Sequence, residues 1–136
     1  MLVKEIMHNT TKISSDMSVA EAAAMMDKKS IGSVLIENDN KIVGIMTERD
    51  ILKKIVAKSE NPDVLRVRDI MSWPLITIDA NEDIEIASRK MCSNKIRRLV
   101  VTENNQIVGK ITANSISRNL KYLSVRQGPV YIRPEY

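Results

Sequence analysis

The sequence has few aromatic residues, with no phenylalanine, one tryptophan and three tyrosines among 136 residues. A folded core must therefore be built from isoleucine, valine, leucine, methionine and alanine. Proteins that read single-stranded nucleic acids stack bases on aromatic side chains, so this composition disfavours that class. Hydrophobic residues make up 43% and charged residues 28%, which is typical of a globular protein rather than a disordered one.

Cysteine, histidine and long apolar runs are also scarce. The single cysteine, Cys92, excludes a disulfide within the chain and suits a reducing compartment. We expect its thiol to be buried on a helix, and no second residue stands at a spacing that would make it a zinc ligand. No apolar run approaches about 18 residues and the N-terminus lacks an apolar signal core, which predicts a cytosolic protein with no membrane segment.

The familiar motifs of catalysis are missing as well. The sequence contains no P-loop, no GxGxxG and no nucleophile elbow. His8 stands in a polar segment, and a Cys92–His8 pair is the one nucleophilic arrangement that the sequence leaves open. We therefore expect a protein that is not an enzyme and requires neither a metal nor a cofactor.

Basic residues exceed acidic ones by 21 to 17, giving a net charge of +4. This balance favours anionic partners without identifying one. Lysines and arginines at helical spacing usually form a solvated face, but a nucleic-acid-binding surface is an alternative function, and steep salt dependence would distinguish it. The residues concerned are Lys53, Lys54, Lys58, Arg66, Arg68, Arg89, Arg118 and Lys121.

The chain repeats itself once. The segment VKEIM at 3–7 returns as VRDIM at 67–71, and IVG at 42–44 returns as IVG at 107–109. Two copies with a period near 64 residues indicate a duplicated small domain rather than a solenoid array. Thr47 returns as Thr112 and Ile51 as Ile116, at the same offset as the IVG motif.

Each copy predicts the order strand, helix, strand, strand, helix, and the chain is expected to be of the α/β class. Ser18 followed by Glu21 is a capping box, and Asp83 is a good N-cap in the second copy. Nearly continuous apolar runs predict strands that are covered on both faces. We expect repeat 1 at 1–58, a linker at 59–66, repeat 2 at 67–123 and an extended or partner-docking tail at 124–136. The expected strands are 12–13, 33–37, 41–46, 76–78, 99–102 and 106–111, and the expected closing helices are 48–57 and 114–122.

The ordered set of motifs resembles the CBS-domain family over residues 3 to 122. GIMTERD at 44–50 is similar to the family's ligand motif, and NKIRRLVV at 94–101 is similar to the stretch that enters its second strand. The resemblance implies two repeats packed as a pseudo-twofold pair, known as a Bateman module, with two clefts between them. It also implies a homodimer that binds AMP, ADP, ATP or S-adenosylmethionine and regulates a separate, unidentified target protein. A purely protein-binding module that needs no nucleotide is a further alternative.

Thr47 and Asp50 are the first candidate site residues. A carboxylate can accept hydrogen bonds from both hydroxyls of a ribose, and Asp50 stands at a helix start where negative charge is favoured. The alternative is that Thr47 and Asp50 merely cap the helix. The resemblance implies that Arg97 and Arg98 face the phosphates of the nucleotide held by Asp50, although adjacent strand residues point to opposite sides, which leaves one of the two in solvent.

The second cleft departs from the pattern. Ser115 replaces the aspartate and Gly32-Ser33 replaces the arginine pair, so Thr112 alone is retained. We therefore expect one competent nucleotide site per chain, with S-adenosylmethionine less favoured because two arginines suit a phosphate. Adenine contacts are expected from Ile13, Ile31 and Met46, with Lys12 as an extra phosphate ligand, although core packing is an alternative for the apolar three and a surface position for Lys12.

Overall fold

The structure, a computed structural model, describes the backbone of residues 1–127 and the side chains of residues 1–120. It divides into two compact units. Residues 10–76 form what we call the repeat-1 unit, and residues 1–9 together with the chain from Thr77 onward form the repeat-2 unit. The units therefore do not coincide with the sequence repeats, because residues 1–9 join the second repeat, whereas the linker and residues 67–76 join the first.

The repeat-1 unit is a three-stranded sheet with the order β1-β2-β3. β1 pairs in parallel with β2, and the connection between them contains α1, as a parallel crossover requires. β2 pairs antiparallel with β3 and brings Ser33 opposite Thr47. The elements are β1 (Lys12–Ser14), α1 (Val19–Lys29), β2 (Ser33–Asn38), β3 (Lys41–Thr47), α2 (Glu48–Ile51), a π-helical continuation (Leu52–Val56) and α3 (Val67–Ile70).

The repeat-2 unit has the same plan, with the sheet order β4-β5-β6. A register shift in β5 between Val101 and Thr102 matches the shift in β2 between Ile36 and Glu37. The opening segment joins this unit through backbone bonds from Val3 and Lys4 to residues near the end of β4. The elements are a 3-10 helix (Val3–Glu5), β4 (Thr77–Asp79), α4 (Ile84–Asn94), β5 (Arg98–Glu103), β6 (Gln106–Thr112) and α5 (Ala113–Gln127).

The predicted helix starts are confirmed by cap hydrogen bonds. The Ser18 hydroxyl accepts from the Glu21 amide at 3.1 Å, and the Asp83 carboxylate accepts from the Glu85 amide at 2.8 Å. Each bond satisfies an amide that has no partner within the helix. The α/β class and the strand–helix–strand–strand–helix order of each repeat therefore follow the sequence.

Two-residue turns connect β2 to β3 and β5 to β6. Asp39 and Asn40 have φ values of 50° and 63°, and Asn104 and Asn105 have 52° and 62°. Two successive positive φ values define the type I′ turn, whose twist matches that of the flanking strands, and asparagine and aspartate tolerate this conformation. These turns fix the pairing register of each hairpin. At the other end of each hairpin, Thr47 therefore lies opposite Ser33 and Thr112 lies opposite Arg98.

The core of the repeat-1 unit is aliphatic, as the lack of phenylalanine requires. Alternate faces of the strands and the inner faces of the helices contribute to it. α5 extends to Gln127, four residues into the predicted tail, and the remainder of that tail lies outside the described residues. The core comprises Ile13, Val19, Ala22, Met26, Val34, Ile36, Met46, Ile55, Val67 and Ile70.

Cys92 is exposed, so the expectation of a buried thiol is wrong. The buried face of α4 carries Ile84, Ala87 and Met91, which recur at helical spacing. Cys92 is one residue beyond Met91, about 100° further round the helix, and this rotation turns it away from the core. None of the helices in the described part of the chain has the length and apolar character of a membrane span.

Candidate functional site

Thr47 and Asp50 form a reciprocal cap at the junction of β3 and α2. The Asp50 amide donates to the Thr47 hydroxyl at 3.4 Å, and the Thr47 amide donates to Asp50 Oδ2 at 2.9 Å. The Thr47 hydroxyl also donates to Oδ2 at 3.2 Å. The cap role considered as the alternative is therefore present, and it holds the carboxylate in a fixed orientation at the start of the helix.

The second oxygen of Asp50 is held by two groups from elsewhere in the repeat-1 unit. The Ser72 hydroxyl donates to Oδ1 at 2.8 Å, and the Lys54 ammonium lies 3.1 Å from the same atom. Asp50 is 8% exposed, so its charge is largely removed from water. Such a carboxylate is stable only when hydrogen-bonded and paired, and these contacts supply both conditions.

Ser72 reaches Asp50 because the segment before β4 runs along the edge of β3. Ile45 and Ser72 exchange backbone hydrogen bonds of 3.0 and 2.8 Å. Gly44 permits this approach, since a Cβ at that position would lie 2.6 Å from the sulfur of Met71 and 3.0 Å from the carbonyl oxygen of Ser72. The glycine of the repeated IVG motif is thus explained by close packing of the chain.

Replacing Gly44 by alanine is expected to displace the segment that carries Ser72. The sulfur of Met71 can move, but the backbone carbonyl of Ser72 cannot move without loosening its pairing with Ile45. Overpacking of this kind costs about 1–3 kcal/mol in the free energy of unfolding, which urea denaturation measures.

Gly109→Ala is the matched control for Gly44→Ala. A Cβ at Gly109 would lie 2.8 Å from the carbonyl oxygen of His8, so this variant is expected to destabilise the repeat-2 unit by a similar amount. It should leave the Ser72–Asp50 contact unchanged. Equal stability of Gly44→Ala and the native chain would contradict the packing argument.

The repeat-2 unit has an equivalent set of contacts around Ser115, which takes the place of Asp50. We call each set a frame: Thr47, Asp50 and Ser72 in the repeat-1 unit, and Thr112, Ser115 and His8 in the repeat-2 unit. Ser115 lies 2.7 Å from the Thr112 hydroxyl, oxygen to oxygen, and 2.6 Å from Nε2 of His8. His8 occupies the place of Ser72, and it pairs with Lys110 as Ser72 pairs with Ile45. The two frames thus differ in charge, with an aspartate in one and neutral hydroxyls in the other.

Arg97 and Arg98 lie in the repeat-2 unit, at the start of β5. Arg97, just before β5, is exposed, and Arg98, the first residue of β5, is half-buried. Arg98 pairs across the sheet with Thr112, and Lys110 lies two residues away on the same face. Burial of the ammonium group, and secondarily the Arg98 guanidinium, lowers the pKa of Lys110 from its usual value.

Of the residues expected to contact adenine, Ile31 is half-buried, whereas Ile13 and Met46 belong to the core of the repeat-1 unit. Met46 is 0% exposed and Ile13 is 6% exposed. Lys12 is exposed and lines an open depression of about 450 Å³ at the Asn38 end of β2. That depression lies at the opposite end of the strand from Ser33 and Thr47, and it carries the carboxylates of Asp16, Glu37 and Asp39, which disfavour an anion.

Sequence reasoning missed Ser72 and Lys54. Lys54 stands four residues after Asp50, the spacing at which opposite charges meet on a helix. Ser72 follows the repeated IM dipeptide, as His8 does in the other copy. Alignment of the two repeats could therefore have identified Ser72 and His8 as residues at equivalent positions. Among the described residues, no group of three His, Cys, Asp or Glu side chains is placed to hold a metal ion.

Known proteins resemble this chain over both repeats. The family model of the CBS domain matches residues 3–57 and 67–122. An uncharacterized protein of Methanopyrus kandleri is 38% identical over 108 residues, covering 78% of this chain and 55% of that protein. The inosine-5'-monophosphate dehydrogenase of Methanocaldococcus jannaschii is 31% identical over 119 residues, 86% of this chain but only 23% of the enzyme.

A solved structure shares the fold. The CBS domain pair of protein MJ0100, in complex with 5'-methylthioadenosine and S-adenosyl-L-methionine, superposes with a TM-score of 0.79 at 28% identity. The match covers 90% of this chain and 98% of that one. The ligands of that protein both contain an adenosine group.

Proposed function

The chain belongs to the CBS-domain family, and from this premise we propose that it is a regulatory module that binds an adenosine-containing ligand in its repeat-1 unit. The observation that carries the proposal is the oriented, nine-tenths buried carboxylate of Asp50 between Thr47 and Ser72. In this proposal the ligand is AMP, ADP or ATP, it is bound reversibly and it is not consumed.

The chemistry of a ribose supports the choice of Asp50. Its 2′ and 3′ hydroxyls are adjacent donors, and one carboxylate offers two acceptor oxygens at a matching separation. Hydrogen bonds to an ionised acceptor are about twice as strong as neutral ones. The hydroxyls of Thr47 and Ser72 can each donate and accept, so both can join such a network.

Arg97 and Arg98 are proposed to bind the phosphates of the same ligand, on the ground of the family resemblance. A guanidinium matches a phosphate with two parallel hydrogen bonds, which favours AMP, ADP or ATP over S-adenosylmethionine. The two ligands of the MJ0100 domain pair contain adenosine but carry no phosphate. In this proposal, Asp50 therefore accounts for binding of any adenosine-containing ligand, and Arg97 and Arg98 account for the preference for AMP, ADP or ATP.

A single competent site per chain follows from the charge difference between the two frames. Ser115 cannot replace the charge of Asp50, and its hydroxyl is already within hydrogen-bond distance of Thr112 and His8. We therefore propose that the frame in the repeat-2 unit binds adenosine weakly or not at all.

The proposed partners are a second copy of the chain and a separate target protein. Leu52 and Val56 are exposed four residues apart on the helical segment that follows Asp50, and contiguous exposed apolar surface marks sites of protein contact. The matched dehydrogenase shows that a similar segment occurs within a larger enzyme, but its match covers 23% of that enzyme and supports no catalytic activity here. A ligand would act on a partner only by binding two conformations with different affinities.

The proposal is tested by thermal unfolding with AMP, ADP, ATP and S-adenosylmethionine in turn, at fixed salt. A ligand at 100 times its dissociation constant adds about 2.7 kcal/mol to the free energy of unfolding, and the midpoint should rise accordingly. A rise with a nucleotide that Arg98→Ala reduces would support the phosphate assignment. No rise with any of the four would contradict the proposal, and steep salt dependence of RNA or DNA binding would then favour the nucleic-acid alternative.

A further inference from the structure

Four donor groups already surround the Asp50 carboxylate. Oδ2 accepts hydrogen bonds from the amide and hydroxyl of Thr47, and Oδ1 accepts one from the Ser72 hydroxyl and is ion-paired with the Lys54 ammonium at 3.1 Å. An ionised carboxylate has about four lone-pair sites. A ribose that uses Asp50 must therefore displace or share at least one of these donors.

The four donors differ in what they can do when a ligand hydroxyl arrives. The hydroxyls of Thr47 and Ser72 can keep donating to Asp50 and accept from the ligand at the same time. The Thr47 amide is fixed by the cap. The ammonium of Lys54 has three protons and no lone pair, so it cannot accept a hydrogen bond from a ribose hydroxyl. Lys54 is thus the donor that has to move away.

The backbone holds Lys54 in this competing position. It lies in the π-helical turn Leu52–Val56, which directs Ile55 into the core, and π-helical turns occur frequently at functional sites. Its ammonium also donates to the carbonyl oxygen of Ile70 at 2.8 Å, so two contacts fix it. The side chain remains 36% exposed, which leaves it a path into solvent.

The repeat-2 unit offers an internal comparison. Asn119 occupies the place of Lys54, four residues after Ser115, and its amide donates to the Ser115 carbonyl oxygen at 2.7 Å. It thereby contacts the backbone and not the Ser115 hydroxyl. Of the two residues at this position, Lys54 contacts the side chain four residues before it and Asn119 contacts the backbone.

We infer that Lys54 competes with the ribose for Oδ1 of Asp50 and so weakens the binding of adenosine-containing ligands, which makes the site responsive only at higher ligand concentrations. This inference rests on the proposed function. It gives Lys54 the role of a positioning residue, which acts on the ligand through Asp50. Binding then releases the ammonium from both Asp50 and the Ile70 carbonyl, and this couples ligand occupancy to the junction between α2 and α3.

The test uses adenosine, which has the ribose and no phosphate, so that attraction between Lys54 and a phosphate plays no part. Calorimetric titration is compared for the full chain, Lys54→Met, Lys54→Arg and the exposed control Lys53→Met. Lys54→Met is expected to bind adenosine about threefold to tenfold more tightly, the range set by loss of one partly exposed charge-assisted contact. Lys54→Arg and Lys53→Met should match the native chain.

Two further readings separate competition from a structural role. Raising the salt concentration screens the Lys54–Asp50 pair, so the native chain should bind adenosine more tightly while Lys54→Met stays constant. Thermal unfolding shows whether Lys54→Met is folded, and its expected decrease in stability accompanies an increase in affinity. A simple structural defect would lower both.

The outcomes distinguish this inference from the proposed function. If the native chain binds adenosine and Lys54→Met binds it equally or less tightly, the competition by Lys54 is wrong and the proposed function stands. If only Lys54→Met binds adenosine measurably, both are supported. If no variant binds adenosine or AMP, both are overturned.

Discussion

Asp50→Asn is expected to lower the affinity for AMP by about 100-fold or more. The change removes the negative charge that strengthens both ribose hydrogen bonds, and bonds to charged groups contribute about 1.5–3 kcal/mol each. It also introduces an NH₂ group, which can only donate, among the donors of Thr47, Ser72 and Lys54. Calorimetric titration of AMP measures the loss directly.

The matched control for this variant is Ser115→Ala, at the equivalent position of the repeat-2 unit. It removes the hydroxyl that lies near Thr112 and His8 but leaves Asp50 untouched, so AMP affinity should be unchanged. Thermal unfolding of both variants shows that they are folded. A loss of binding in Ser115→Ala with retention in Asp50→Asn would reverse the assignment of the site.

Ile36→Ala is expected to give the largest loss of stability, about 2–5 kcal/mol in the free energy of unfolding. Ile36 is 0% exposed in the middle of β2, and truncation loses buried apolar area and leaves a cavity. The total stability of a domain is only about 5–15 kcal/mol, so this loss takes a large share of it. Urea denaturation, analysed by linear extrapolation, measures the change.

Ile36→Val is the control, because it removes a single methylene at the same position. It should cost about 0.5–1.5 kcal/mol. A cost for Ile36→Ala no larger than that of Ile36→Val would mean that the site collapses without strain, and the close-packed core described for the repeat-1 unit would be wrong.

Local signals allowed the fold to be predicted from the sequence. Ser18 and Asp83 cap helices through their own side chains, and Asp39-Asn40 and Asn104-Asn105 favour one turn type by themselves. The duplication supported this prediction, because both copies predict the same order of strands and helices. Features that depend on a few neighbouring residues were therefore predictable.

Features that depend on distant parts of the chain were not predictable. Residues 1–9 join the repeat-2 unit and the segment at Ser72 joins the repeat-1 unit, and only tertiary packing brings them there. The π-helical turn after Ile51 and the exposure of Cys92 were likewise not predicted. Periodicity predicts which face of a helix is apolar, but it does not decide whether a residue next to that face is buried or exposed.

In the candidate site too, the contacts between residues close in sequence were predictable and those between distant residues were not. Thr47 and Asp50 are three residues apart, so their contact could be inferred from capping patterns. Ser72 is 22 residues from Asp50, and its approach requires the bare backbone of Gly44. Met46 and Ile13, which are expected near adenine, belong to the buried core of the repeat-1 unit.

The central claim is a single adenosine-binding site per chain that depends on Asp50. Its most direct test is calorimetric titration of the native chain with AMP, followed by the same titration of Asp50→Asn and Ser115→Ala. The account predicts one equivalent of AMP per chain for the native protein and for Ser115→Ala, and an affinity lower by about 100-fold or more for Asp50→Asn. Two equivalent sites per chain, or an Asp50→Asn variant that binds AMP as tightly as the native chain, would contradict it.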